Sequence, residues 1–184
     1  MANTKDNRMA KMTDVLIKNS LIELMKDKPL RSVSVRAICE NADINRSTFY
    51  AHYADQYSLI KALEDELLNE VVAFIDEREL RVRQVEAMSR LLTYFENRKE
   101  LFLCLRANST EFSRRLEQTI HDEYISKYKK RGRSLKGSSE YRVEFLAAGT
   151  IRLVELWLLK EQRETPEEMA KMILAMFVEE KTAE

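Results

Sequence analysis

Residues 33–56, VSVRAICENADINRSTFYAHYADQ, decide how the rest of the chain is read. Ser34 stands just before Val35, Ile38, Cys39 and Ala42, whose i, i+3, i+4, i+7 spacing puts them on one helical face. A serine there can cap the helix, because its hydroxyl accepts from an orphan N–H of the first turn. After the connector Ala42-Asp43-Ile44, Asn45 is expected to cap a second helix in the same way. Ile44 and Phe49 turn inward to lock the pair, which leaves Arg46, Ser47, Thr48, Tyr50 and His52 facing out. Two helices joined by so short a turn form a helix-turn-helix, and the second is sized for a DNA major groove. Arg46 is long enough for bidentate contact with guanine. The hydroxyls of Ser47, Thr48 and Tyr50, with the His52 ring, suit phosphate oxygens. Asp55 is placed to cap a third helix beginning near Gln56.

The run INRSTFYAHYADQYSLIKAL, residues 44–63, closely resembles the recognition helix and following helix of TetR/AcrR-type transcriptional regulators. The Thr-Phe-Tyr core, the aromatic Tyr53, the Asp55 cap and the Leu59/Leu63 spacing carry the likeness, as does SVRAICENA in front of it. It extends over residues 10–65. Two positions depart from the pattern. Asp43 stands where the turn usually has Gly, at some conformational cost. Gln56 stands where a Lys usually follows the Asp cap, so one phosphate contact loses its charge. A fainter resemblance, to the C-terminal domain of Firmicutes-type members, covers residues 139–178. Its marks are Ala147-Ala148-Gly149, Trp157 and Thr165-Pro166-Glu167-Glu168-Met169.

The resemblance implies an all-α homodimer of about nine helices. It would comprise a three-helix DNA-binding domain (1–55), a connecting helix (56–78) and a helical bundle for effector binding and dimerisation (79–184). The candidate DNA-facing set is Ser34, Arg36, Asn45, Arg46, Ser47, Thr48, Tyr50, His52 and Gln56. In the family the last two helices pack against their twins. Ala148, Gly149, Arg152, Leu156, Met169, Ile173, Met176 and Phe177 are the candidate dimer residues. A cavity for a small-molecule effector is looked for among Met88, Tyr94, Phe102, Phe112, Phe145 and Trp157. The function implied is a repressor on a palindromic operator, released when an effector favours the wrong half-site spacing. A second reading stays open beside it: a TetR-like module that signals through a protein partner, with weak or lost DNA binding.

Composition agrees with this outline. Three Gly and two Pro in 184 residues, with 45% hydrophobic content, argue for an all-helical fold with a real core. Residues 1–60 hold nine Lys and Arg against seven Asp and Glu in a chain of zero net charge, so any DNA-binding charge is local. The two cysteines, Cys39 and Cys104, lack metal-type spacing and read as free thiols on apolar faces. No Gly-rich phosphate loop, G-x-S-x-G or H-E-x-x-H is present, so no catalytic residue, metal or cofactor is expected. His121, beside Asp122 and Glu123, reads as an ordinary surface residue. The start MANTKDNRMAKM has no signal-like apolar core and no run reaches membrane-spanning length, so a cytoplasmic protein is expected.

Along the chain, the first helix is expected from Met9 to Lys26 with Ile17, Leu21, Leu24 and Met25 buried, ended by Lys28-Pro29-Leu30. A long helix follows from Gln56 to Arg78, with Leu59, Leu63, Leu67 and Val71 on its inner edge. Weaker apolar periodicity marks helices near 82–96, 98–107 and 110–131. KYKKRGRSLK, residues 127–136, reads as a basic loop. A mostly apolar helix starts near Ser139, and the last opens at Thr165 with Pro at its first position and Glu168 at its third. For Arg152 and Glu155, an internal ion pair and the polar end of a ligand cavity are both open.

Overall fold

A computed structural model of the chain describes residues 4–76, 84–130 and 137–176. All regular elements among them are helical: α1 (Thr4–Asp27), α2 (Val35–Ala42), α3 (Arg46–His52), α4 (Gln56–Asp76), α5 (Gln84–Asn97), α6 (Lys99–Asn108), α7 (Thr110–Lys130), α8 (Ser138–Leu159) and α9 (Pro166–Ala175). The first helix thus begins more than a turn before the expected Met9. Pro29 ends that stretch, followed by a single 3-10 turn at Leu30–Ser32. Two compact units result, and the division runs through α4 after Leu67 and through α6 after Leu103.

The smaller unit holds the chain up to Leu67 together with Cys104–Ser109. Ile17, Leu21 and Met25 of α1, Ile38 and Cys39 of α2, Phe49 of α3, and Leu59, Leu63 and Leu67 of α4 are all buried in it. Each such apolar side chain contributes about 1.5–3 kcal/mol relative to an exposed one. Leu24, expected among them, is only half-buried. α1 packs on α2, where the buried Ser20 hydroxyl donates to the Ile38 carbonyl at 2.9 Å. In α4 the carboxylate of Glu64, 5% exposed, accepts from the Ser109 hydroxyl at 2.6 Å.

In the larger unit α5 packs on α9, and α7 on α8. Phe95, Phe102 and Phe112 form a ring cluster, with centroids 4.9 Å apart for the first pair and 6.5 Å for the second. Trp157 is buried and donates its indole N–H to the Glu164 carbonyl at 2.8 Å. Arg163 lies 5.6 Å over that ring and reaches Glu96 of α5 at 2.8 Å, which straps the α8–α9 loop down. α9 opens on the capping box the sequence announces: the Glu168 N–H donates to the Thr165 hydroxyl, and Thr165 N–H donates back to the Glu168 carboxylate. The basic loop is corrected in part. Lys127–Lys130 belong to the end of α7, since Lys and Tyr carry no helix-breaking tendency. Residues 131–136 lie outside the described residues. Among the latter, no helix is long and apolar enough to cross a membrane.

Candidate nucleic-acid interface

Ser34 caps α2 as read from the sequence, accepting from the Ala37 N–H at 3.1 Å. At the other end Asp43 takes φ 52° and ψ 48°, the left-handed conformation that closes the helix, and its N–H reaches the Cys39 carbonyl. Asp tolerates this region better than most residues with a Cβ. The turn therefore survives without glycine. Ile44 N–H then bonds to the Cys39 carbonyl at 3.0 Å, and Ile44 is half-buried rather than fully inward.

Asn45 sits at the N-cap of α3, but its side chain makes no capping bond. The Thr48 N–H, which such a cap would satisfy, already bonds to Asn45's own carbonyl at 3.0 Å, and Phe49 N–H bonds there at 3.2 Å. The Asn45 amide is thereby left exposed at the start of the helix. Phe49 is completely buried, while Arg46, Ser47 and Tyr50 are exposed and Thr48 and His52 are half-buried. A seven-residue helix anchored from below by one ring thus presents its other side to solvent. Asp55 and Ser58 cap α4 reciprocally, with Ser58 N–H donating to the Asp55 carboxylate at 2.7 Å and Asp55 N–H to the Ser58 hydroxyl at 3.1 Å. Gln56, at the first turn of α4, is half-buried. Arg36 is exposed and engaged with Glu40 at 2.6 Å, so its contact with a phosphate would exchange one partner for another.

The sequence reading missed what holds α3 in place. Tyr53, the C-cap of α3, donates its hydroxyl to Asp14 of α1, and Asp14 pairs with Lys18 at 2.6 Å, which also reaches Glu66 of α4. Burial pushes the Asp14 carboxyl up, but hydrogen bonds from Lys18 and Tyr53 outweigh it and hold it below its ordinary value. Burial opposes the Lys18 charge, yet its bonds to Asp14 and Glu66 raise it well above the usual lysine range. Burial and the bond to Asp14 raise the Tyr53 phenol in the same way. The only sequence signal was the polar Asp14-x-x-x-Lys18 pair on an otherwise apolar side of α1. Both cysteines are free thiols. Burial pushes Cys39 up against the opposing charge of Arg46, and pushes Cys104 up to about 11.

In the larger unit the expected pocket residues differ in how deeply they are buried. Phe102, Phe112 and Trp157 are fully packed, Met88 and Tyr94 are half-buried, and the Arg98 guanidinium covers the Tyr94 ring at 4.4 Å. Phe145 is 74% exposed, which corrects its assignment to an enclosed site. A polar cavity of about 170 Å³ does lie between α7 and α8, lined by Arg114, Glu117, Gln118, His121, Glu144, Ala147 and Ala148. His121 is half-buried there, 3.2 Å from Glu144, and so bridges two helices rather than standing idle at the surface.

Of the candidate dimer residues, Ala148, Arg152, Leu156 and Met176 are exposed and Gly149 is half-buried. Met169 and Ile173 are corrected: they are buried within the protomer, on the helix that packs against α5. Phe177 lies outside the described residues. Arg152 and Glu155 form an ion pair at 3.0 Å. Tyr141, Phe145 and Leu159 of α8 are large, apolar and exposed, and the sequence reading did not assign them to this face; Met172, on the apolar side of α9 that it did assign there, is exposed as well. With Ala148, Arg152 and Leu156, the α8 members follow a 4-3-4-4-3 spacing, the signal that marks one continuous helical stripe.

The small unit is thus a helix-turn-helix of the DNA-binding class, carried by an all-helical chain. Residues 19–63 match the bacterial regulatory proteins of the tetR family, and residues 85–179 match a transcriptional regulator C-terminal region. The chain belongs to the TetR family of transcriptional regulators and is a DNA-binding regulator. It is 29% identical over 58 residues to the HTH-type transcriptional regulator YxbF of Bacillus subtilis (strain 168). That match takes in 31% of this chain, and the chain spans 15% of the length of this curated relative. Its fold is shared with a TetR transcriptional regulator from Streptococcus agalactiae 2603V, at TM-score 0.66 and 22% identity, over 93% of this chain and 96% of that one. It is also shared with NalD, the secondary repressor of the MexAB-OprM multidrug efflux pump in Pseudomonas aeruginosa, at TM-score 0.58 and 16% identity over 91% and 96%.

Proposed function

We propose that this regulator is a homodimeric repressor that reads a palindromic operator through α3 and leaves it when an effector binds the larger unit. The observation that carries the proposal is α3 itself, with Arg46, Ser47 and Tyr50 exposed above a fully buried Phe49. Arg46 and Asn45, at the start of the helix, are the base-reading residues, because a recognition helix meets base edges with its N-terminal residues. Ser34, Arg36, Ser47, Thr48, Tyr50, His52 and Gln56 contact phosphate and fix the register.

Dimerisation is supported by the exposed apolar side chains along the α8 stripe and by Met172 and Met176 of α9, since exposed apolar surface of this kind marks interaction sites. Gly149 supports it too: a Cβ added there would meet nothing within 4 Å of its own protomer. A mid-helix glycine costs about 0.5–1 kcal/mol relative to alanine, and close approach of a second helix gives it a reason. Two recognition helices related by a two-fold axis read half-sites about 34–36 Å apart. The effector is a small molecule whose binding favours a dimer with another spacing. Met88, Tyr94, Phe102, Phe112 and Trp157 remain in the proposal as its neighbours, and Phe145 moves to the dimer face. A cytoplasmic location and the lack of a catalytic role follow from this reading.

Repression needs only the DNA-binding surface, since a dimer seated over a promoter excludes polymerase. The repressor NalD, with the same fold, supports that sign. Transcription in vitro from a promoter overlapping the operator is the test. Transcript falling as protein is added supports repression; transcript unchanged or raised contradicts it.

A further inference from the structure

Near its start, α1 carries a stretch of exposed residues. Arg8, Met9, Ala10, Lys11 and Met12 are exposed without interruption; Thr13 and Asp14 are half-buried, and full burial begins at Ile17. Arg8 and Lys11 give this stretch a local positive charge. Its position is fixed by the contacts one turn on. Asp14 accepts from Tyr53, the residue that ends α3. α1 therefore passes directly beside the C-terminal end of the recognition helix. Lys11 lies three residues before Asp14, one turn back and on the same side of α1. Asp14 is already answered by Lys18 and Tyr53, and Lys11 forms no ion pair with any described residue.

We infer that Lys11 binds a DNA phosphate on the backbone that flanks the groove occupied by α3. When the start of α3 lies over base edges, its far end rises toward the backbone, where Tyr50 and His52 are at the surface. A lysine one turn along α1 from Asp14 brings a flexible ammonium to that same backbone. Lys11 carries no sequence information. It adds affinity and one released counterion.

This inference rests on the reading of α3 as the recognition helix, so the experiment separates the two. Full-length wild type, Lys11→Ala, Lys11→Arg and Arg46→Ala are titrated, over a range of salt, onto the duplex that wild type selects from a random pool. A scrambled duplex is titrated alongside. Lys11→Ala is expected to flatten the slope of log affinity against log salt by about one. Its deficit relative to wild type then shrinks about fourfold for a fourfold rise in salt. Its preference for the selected over the scrambled site stays intact, and Lys11→Arg restores the slope. Arg46→Ala behaves oppositely and loses the preference. A Lys11→Ala slope equal to wild type overturns the inference while leaving the role of α3 standing. A wild type that selects no site overturns the reading of α3, and the Lys11 contact falls with it.

Discussion

The hydroxyl of Tyr53, the last residue of the recognition element, donates to the carboxylate of Asp14, 39 positions earlier in the chain. Lys18 and Glu66 complete the cluster, so α1, α3 and α4 meet at one polar junction. A seven-residue helix is too short to hold its own conformation. Its orientation depends on Phe49 beneath it and on this junction at its end.

Tyr53→Phe keeps the ring and removes the bond. Folding stability should fall by about 1.5–3 kcal/mol, the range for a hydrogen bond to a charged group. Urea titration checks this, and unchanged stability would show that the junction contributes nothing.

The same junction sets a pH dependence. Asp14 titrates below its ordinary 3.8 when folded, so its contribution is present above about pH 4 and is lost as pH falls through the depressed value. Tyr53 and Lys18 titrate above their ordinary 10.0 and 10.5, so theirs are present below about pH 10 and lost as pH rises further. Stability measured against pH should therefore show a plateau between those limits. In Tyr53→Phe the alkaline edge should weaken, and an alkaline edge identical in variant and wild type would contradict the assignment.

Much of this unit was legible in the sequence because its signals are local. Ser34 before an apolar face, Asp43 at the turn and the Asp55–Ser58 cap each act within four residues, and each is found where short-range rules put it. Asn45 is the exception. Its capping role went to its own backbone carbonyl, a choice of bond that composition cannot express. The Tyr53–Asp14 bond was invisible because it joins distant positions. Phe145 failed for another reason. Periodicity says which residues share a face, but what covers that face depends on neighbours, and Phe145 was given to a cavity when it lies on an exposed stripe.

Asp43 holds a left-handed conformation that glycine adopts without steric cost. Asp43→Gly should raise stability by about 0.5–1 kcal/mol with operator affinity unchanged. A loss of stability would mean that the Asp43 side chain has a role in the turn beyond its backbone.

Phe145 and Leu156 lie on the exposed α8 stripe, 74% and 44% accessible in the single chain. Phe145→Glu and Leu156→Glu should leave the protomer folded by circular dichroism but shift sedimentation from dimer to monomer. Burying an unpaired carboxylate in an apolar contact is strongly unfavourable. A dimer of undiminished strength in both variants would place the interface elsewhere.

Ser109→Ala removes the donor to the buried Glu64 and should cost about 1–3 kcal/mol, read from urea unfolding. No change in the midpoint would show that the bond is not needed to keep Glu64 buried.

The central claim is that α3, displayed by a dimer, reads DNA. Selection from a random duplex pool with purified protein at moderate salt tests it most directly. The account predicts a palindrome with half-sites about 10 base pairs apart, or a multiple, and loss of enrichment with Arg46→Ala. A folded dimer that enriches no sequence, or Arg46→Ala selecting the same site as strongly as wild type, would contradict it.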